Sequence, residues 1–190
     1  MIHVQTYREL PVNRREIFRY AGCPSPGEAE TAVLEECLAE LSGKLTGRVC
    51  WREFVLTGPD LPFFPTGSAD LAKYLRNCTK LVVFGATVGL ETDRLIARYS
   101  RISPVKALFC QAIGAERIES LCDAFCGDLA EMYASCRTKP RYSPGYGDLP
   151  LEVQREFFTI LDCPRKIGLT LNTSMLMSPS KSVTAIVGIQ

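Results

Sequence analysis

A long stretch that begins at Ser103-Pro104 is the feature that most constrains the fold. Serine is a favoured N-cap and proline suits the first helical position, so the sequence predicts a helix from here to about residue 136. A helix of this length has about nine turns and crosses a whole domain. Apolar residues recur every three or four positions and predict its core face. They are Val105, Leu108, Ala112, Ala115, Ile118, Cys122, Phe125, Leu129 and Met132.

Shorter segments of both kinds surround this helix. Apolar spacing and capping residues predict helices at 12–20, at about 28–44, after Ser68, in LETDRLIARYS and in LEVQREFFTIL. Short apolar runs predict strands in GRVCWREFVL, KLVVFGATVG, KIGLTLN and VTAIVGIQ, and MLMSPSKS reads as a loop. Because helices and strands do not alternate strictly, the predicted class is α+β, with a central twisted antiparallel or mixed sheet flanked by helices. We expect one domain over 1–190, with a helical N-terminal region (1–45) and an α+β core (46–190).

Composition excludes several classes of protein. The chain has 190 residues, of which 46% are hydrophobic, and a net charge of +1 with no run of Lys or Arg. Disorder and charge-driven binding of nucleic acid are therefore not expected. No apolar run approaches the ~20 residues that cross a bilayer. MIHVQTYREL is too polar for a signal peptide, so we expect a cytoplasmic protein with no membrane segment.

The chain has nine cysteines and no CxxC pair. Several lie inside apolar runs, such as Cys110 in ALFCQAI, which favours buried and reduced thiols. A metal site is the weaker alternative. It would rest on Cys122 and Cys126, one helical turn apart, and His3 is the only histidine available to help. We therefore predict no metal ligands.

The segment RYSPGYGDLP, residues 141–150, has no helix or strand pattern. Pro144-Gly145 predicts a type II turn, since proline fixes φ near −65° and glycine accepts a positive φ. Such a turn is rigid and would hold Arg141 and Tyr146 in fixed positions. Arginine can grip a carboxylate with two hydrogen bonds, and tyrosine offers an aromatic face and a hydroxyl. From these residues alone, the favoured interpretation is a stiff connector between two helices, and the function stays open.

This loop and the later segment KIGLTLNTSMLMSPSKSVTAIVG together resemble the C-terminal activation domain of cobalamin-dependent methionine synthase. That family carries an Arg-Pro-x-Pro-Gly-Tyr-Pro-x-x-Pro motif, then a helix, a glycine-containing strand and a Met-x-Pro-x-x-Ser-Val segment. The corresponding residues here are Arg141, Pro144, Gly145, Tyr146 and Pro150, then Gly168, Leu169, Leu171, Met177, Pro179, Ser182, Val183 and Thr184. The N-terminal part looks like shorter, free-standing relatives of that domain.

The resemblance implies an S-adenosylmethionine-binding chain that supports reductive reactivation in methionine biosynthesis. In the family, S-adenosylmethionine supplies a methyl group and flavodoxin supplies an electron, which return inert cob(II)alamin to its methylated form. The chain has no Asp-x-His-x-x-Gly motif. Cobalamin is therefore expected on a separate cobalamin-binding methionine synthase subunit, with a flavodoxin-like or other electron donor as a further partner.

The family's ligand-binding residues carry over by position. Arg141 matches the arginine that holds the ligand's carboxylate, and Tyr146 matches the tyrosine at the same site. Ser143 occupies the position whose backbone contacts the adenine end, and Gly145 completes the turn. Glu119 is the counterpart of an acidic residue on the long helix that serves the ligand's positive groups. The resemblance implies no catalytic acid or base, because the cofactors carry the reaction.

The chain also departs from the family pattern. Tyr142 replaces a proline, and Gly147-Asp148 replaces a proline-rich continuation. The sequence ends at Gln190, before the family's covering tyrosines, which predicts weak binding or a need for the partner. A further family aspartate has only a weak counterpart in Asp60. Two alternatives remain: a docking or structural module without catalysis, and a reactivator of another corrinoid methyl-transfer protein.

Overall fold

The computed structural model describes all residues from Met1 to Gln190. Its main feature is a four-stranded antiparallel sheet with the order β1-β2-β3-β6. These strands are β1 (His3–Tyr7), β2 (Gly47–Val55), β3 (Lys80–Thr87) and β6 (Ser182–Ile189). A small two-stranded ribbon pairs β4 (Thr170–Leu171) with β5 (Met177–Ser178). The predicted α+β class and the antiparallel sheet are confirmed.

Seven helices surround the sheet. They are α1 (Arg14–Tyr20), α2 (Glu28–Leu41), α3 (Ala69–Tyr74), α4 (Glu91–Ile102), α5 (Pro104–Met132), α6 (Gln154–Leu161) and α7 (Cys163–Ile167), and a 3₁₀ turn (Leu151–Val153) precedes α6. The predicted cap of α3 is confirmed, because the Ser68 side chain accepts a hydrogen bond from the Leu71 amide. No helix combines the length and the apolar character needed to cross a membrane.

The sheet is covered on both faces, as the uninterrupted apolar run of β3 requires. Val82 and Phe84 pack against Phe125 and Leu129 of α5. The alternate residues of β3, such as Val83, point to the other face and pack in one cluster with α6 and α7. A third cluster holds the first half of α5 together with α1, α2 and α4. The long helix therefore joins the sheet to the N-terminal helices.

The structure corrects the predicted stripe of α5. Val105, Leu108 and Met132 are about half exposed, and the helix ends at Met132 and not near residue 136. The physical reason is that different elements cover the two halves of α5, so its buried face rotates along its length. Ser103 is the N-cap residue, but its side chain makes no capping hydrogen bond.

Two other segments differ from what the sequence predicts. No strand was predicted at residues 3–7, because β1 is a short edge strand whose polar, half-exposed side chains show no apolar pattern. KIGLTLN was predicted as one strand, but Ile167 ends α7 and Gly168, at φ +71°, caps that helix. Only Thr170–Leu171 forms a strand, and part of the predicted MLMSPSKS loop, Met177–Ser178, pairs with it.

The outer edge of β6 is covered by residues 137–142, which we call the edge segment. The amides of Lys139 and Tyr142 donate to the carbonyls of Gly188 and Ile186, at 2.8 and 2.9 Å. The Ile186 amide in turn donates to Tyr142 at 2.8 Å. This pairing protects an edge that could otherwise pair with another chain, and it fixes where the loop that follows begins.

Candidate functional site

The predicted type II turn is confirmed at residues 143–146. The Tyr146 amide donates to the Ser143 carbonyl at 3.1 Å, and Gly145 has a φ of +89°. Ser143 therefore contributes its carbonyl to the turn itself. The Gly145 amide also donates to the Leu149 carbonyl at 2.9 Å, which closes the loop on itself.

A second turn follows directly. The Leu149 amide donates to the Tyr146 carbonyl at 3.0 Å, and Gly147 has a φ of +54°. A Cβ atom at Gly147 would overlap the Asp70 carboxylate and lie 3.0 Å from the Tyr142 hydroxyl. Any other residue would strain the backbone here and displace the Asp70 side chain, so the Gly147 that departs from the family pattern suits this local structure.

Asp148 ties the loop to the N-terminus of α3. Its carboxylate accepts hydrogen bonds from the Ser68 hydroxyl, from the Ala69 amide at 2.8 Å and from the Asp70 amide at 3.1 Å. The Asp148 amide donates back to the Asp70 carboxylate at 3.3 Å. A carboxylate at this position satisfies free amides of the first helical turn and interacts favourably with the helix dipole. The loop is thus anchored at both of its ends, by β6 and by α3.

The side chains of Arg141 and Tyr142 point to opposite sides of the edge segment. Tyr142 packs against the core cluster of α6 and α7, whereas Arg141 reaches α5 on the other face. The Arg141 Nη1 atom lies 2.5 Å from Asp123 Oδ1, and its Nη2 atom is ion-paired with Glu119. Glu119 and Asp123 are one helical turn apart, so both carboxylates reach the same guanidinium.

The Arg141 guanidinium stays protonated in spite of its partial burial. Partial burial alone would lower the pKa of the guanidinium. The hydrogen bond to Asp123 and the negative charges of Glu119 and Asp123 more than offset this, so its pKa is raised above its usual value. About a quarter of the Arg141 side chain is exposed, against 44% for Glu119. The Glu119 carboxylate and the Arg141 guanidinium lie side by side and carry opposite charges. Such a pair can complement the ammonium and the carboxylate of an amino acid.

Tyr146 belongs to an aromatic group on the other side of the edge segment. Its ring meets the Tyr142 ring edge-on, with centroids 5.6 Å apart, and Tyr142 stacks on Tyr74 of α3 at 4.9 Å. A shallow and widely open cavity of about 700 Å³ lies beside these rings, lined also by Asp70, Lys73 and Gly147. Tyr146 is 55% exposed and presents a free ring surface there.

The structure brings some of the predicted site residues together and separates others. Arg141 and Glu119 are in direct contact, and Ser143, Gly145 and Tyr146 form one turn. Arg141 does not line the cavity beside Tyr146. A ligand that used both residues would have to lie across the edge segment. Asp60 accepts hydrogen bonds from Leu61, Thr66 and Gly67 of its own loop, so its carboxylate organises that loop.

Sequence reasoning missed three residues of this site. Asp123 could have been found, because it lies four positions after Glu119 on a predicted helix. Asp148 and Tyr74 had no local signal, since each contacts a segment far away in sequence. No group of three or more His, Cys, Asp or Glu side chains forms a metal-binding cluster. All nine cysteines are free thiols.

No protein-family model and no curated protein sequence matches the chain. Its fold is similar to that of a solved structure described as the MetH reactivation domain bound to AdoHcy, with a TM-score of 0.69. The similarity covers 98% of this chain and 78% of that chain, at 14% sequence identity. At that identity, the likeness shows a shared fold: an antiparallel sheet flanked by helices, one of them long.

Proposed function

We propose that this chain is an S-adenosylmethionine-binding subunit that supports the reductive methylation of cob(II)alamin on a separate cobalamin-dependent methionine synthase. One observation carries the proposal: the loop predicted from RYSPGYGDLP is a rigid double turn that presents Arg141 beside Glu119, on a fold similar to the MetH reactivation domain. That neighbour was solved with AdoHcy, the demethylated form of the same ligand.

In this proposal, the chain's residues bind and orient the methyl donor. Arg141 holds the ligand's carboxylate, and Glu119 faces its ammonium group. The carbonyl of Ser143 and the backbone around Gly145 lie at the adenosine end, beside the exposed ring of Tyr146. No side chain acts as an acid or base, because the cofactors carry the hard chemistry and the protein supplies binding and orientation. Cobalamin resides on the partner subunit, and a flavodoxin-like or other donor supplies the electron.

A second candidate function is a docking or structural module without ligand. The observation that favours it is that both Nη atoms of Arg141 are already engaged, by Glu119 and by Asp123. In that case Arg141 only joins the edge segment to α5. The two functions differ in what a titration with S-adenosylmethionine shows.

The test is calorimetric titration of the protein with S-adenosylmethionine, alone and with a cobalamin-loaded methionine synthase that lacks its own activation domain. We expect binding in at least one case. Arg141→Ala should weaken it roughly 10- to 100-fold, the effect of losing a charge-assisted pair of hydrogen bonds. Arg137→Ala is the matched control, because Arg137 is an exposed arginine of the same edge segment with no side-chain partner.

Absence of heat in both titrations would exclude the proposal and leave the docking module. Binding that is equally strong in Arg141→Ala would show that the loop is not the ligand site. Assays of methyl transfer with the cobalamin subunit and with other corrinoid proteins, each with a reduced flavodoxin-like donor, identify the partner. Methyl transfer only with a different corrinoid protein would favour the alternative that the chain reactivates that protein.

A further inference from the structure

Arg141 is shared between two carboxylates in an unusual way. An arginine that grips one carboxylate normally uses two parallel N–H donors on the same partner. Here the Nη1 atom lies 2.5 Å from Asp123 Oδ1, while the Nη2 atom pairs with Glu119. Both terminal nitrogens are therefore occupied, each by a different residue of α5. The guanidinium has five N–H donors in all, so a ligand carboxylate that binds through the Nη1 donor now facing Asp123 must first displace that residue.

Asp123 is the residue that can withdraw at lower cost. Its side chain is 72% exposed, against 44% for Glu119, so its carboxylate is already largely hydrated. Its carboxylate contacts no other hydrogen-bond donor of the protein. Exposed ion pairs contribute little to stability, so rotation of Asp123 into water would leave the fold intact.

We infer that Asp123 is an internal substitute for the ligand's carboxylate, and that it sets how tightly the site binds ligands that carry one. This inference rests on the proposed function and deepens it. Asp123 keeps Arg141 in its binding position while the site is empty, and it competes with the ligand for Nη1. The two acidic residues on Arg141 then have opposite effects. Glu119 favours the ligand through its ammonium group, and Asp123 opposes it.

The experiment compares two probes in calorimetric titrations, with the cobalamin subunit present if the wild type requires it. S-adenosylhomocysteine carries the amino acid carboxylate, and 5′-methylthioadenosine lacks the whole amino acid part. We expect Asp123→Ala and Asp123→Asn to bind S-adenosylhomocysteine about two- to five-fold more tightly than the wild type, as removal of an exposed competing ion pair predicts. Binding of 5′-methylthioadenosine should not change, and Glu119→Ala should weaken S-adenosylhomocysteine binding.

Glu131→Ala is the control for charge, because Glu131 is an exposed acid of the same helix with no ion-pair partner. It lies eight residues after Asp123, which is about 12 Å along the helix axis. It should leave both affinities unchanged. Unchanged or weaker S-adenosylhomocysteine binding in both Asp123 variants would overturn the inference while the proposed function stands. Equal tightening of both probes would also overturn it, since the effect would not depend on the carboxylate. If the wild type and all variants bind neither probe, the proposed function fails and the inference falls with it.

Discussion

Asp148 shows how one residue fixes the position of the loop. The hydrogen bonds from Ser68 and from the first amides of α3 hold the pKa of its carboxyl below its usual value. A carboxyl group whose pKa is lowered on folding stabilises the protein above its unfolded-state pKa, about 3.9, and loses this contribution as the pH falls through its folded value. The contribution should therefore be complete near neutral pH and vanish in strong acid.

We predict that Asp148→Asn lowers the melting temperature at pH 6–7, and that the difference from wild type shrinks as the pH falls below about 4. Thermal unfolding followed by circular dichroism between pH 3 and pH 7 measures this. Glu131→Gln, which removes an exposed and unpartnered carboxylate, should show no such pH dependence. A constant difference between wild type and Asp148→Asn over the whole range would contradict the role of the charge.

Helix α5 contains a buried ion pair of adjacent residues, Glu116 and Arg117, which are only 2% and 7% exposed. Arg117 also donates to the carbonyls of Leu10 and Pro11, and Glu116 accepts from the Asn13 amide at 3.0 Å. The pair thus fastens the chain before α1 to the long helix. Its two members depend on each other, because either charge alone would be buried without a counterion.

We predict that Glu116→Leu lowers the free energy of unfolding by about 3–5 kcal/mol, measured by urea denaturation, because it leaves the Arg117 charge uncompensated. The double replacement Glu116→Leu/Arg117→Met should cost less than Glu116→Leu alone. Val105→Ala on the same helix should stay within about 0.5 kcal/mol of wild type, since Val105 is 54% exposed. A large loss of unfolding free energy in Val105→Ala would mean that Val105 is a core residue, as the sequence predicts.

Elements could be predicted where the local sequence decides them. β3 was found because burial on both faces produces an uninterrupted apolar run. The turn at Pro144-Gly145 was found because proline restricts φ and glycine accepts the positive φ that the next position requires. KIGLTLN was misread because Ile167, Leu169 and Leu171 alternate across the end of a helix. Contacts between distant segments could not be predicted: Ser68 and Asp148 are 80 residues apart in sequence, yet they fix the loop. The resemblance placed Arg141 and Glu119 at one site, and the helical spacing would have added Asp123. The direct contacts of Arg141 with both carboxylates depend on the tertiary packing.

At the scale of the whole molecule, the sheet has one covered edge and one open edge. The edge segment covers β6, and β1 forms the opposite edge without a partner on its outer side. The candidate site lies at the covered edge, since Arg141 immediately precedes Tyr142, whose amide pairs with Ile186. Opening of the edge segment would therefore carry Arg141 away from Glu119 and disrupt the site, whereas fraying of β1 would not.

We predict a pattern of amide hydrogen exchange that follows from this arrangement. Without ligand, the Tyr142 and Ile186 amides should exchange faster than those of β3, because the edge segment can open while the sheet stays folded. S-adenosylhomocysteine at 100 times its dissociation constant should slow the Tyr142 and Ile186 amides roughly a hundredfold, since the open form cannot bind it. The outer amides of β1 should keep their rates and serve as the internal control. Protection of β3 without protection of Tyr142 would mean that the ligand binds equally well when the edge segment is open, and that Arg141 does not hold it.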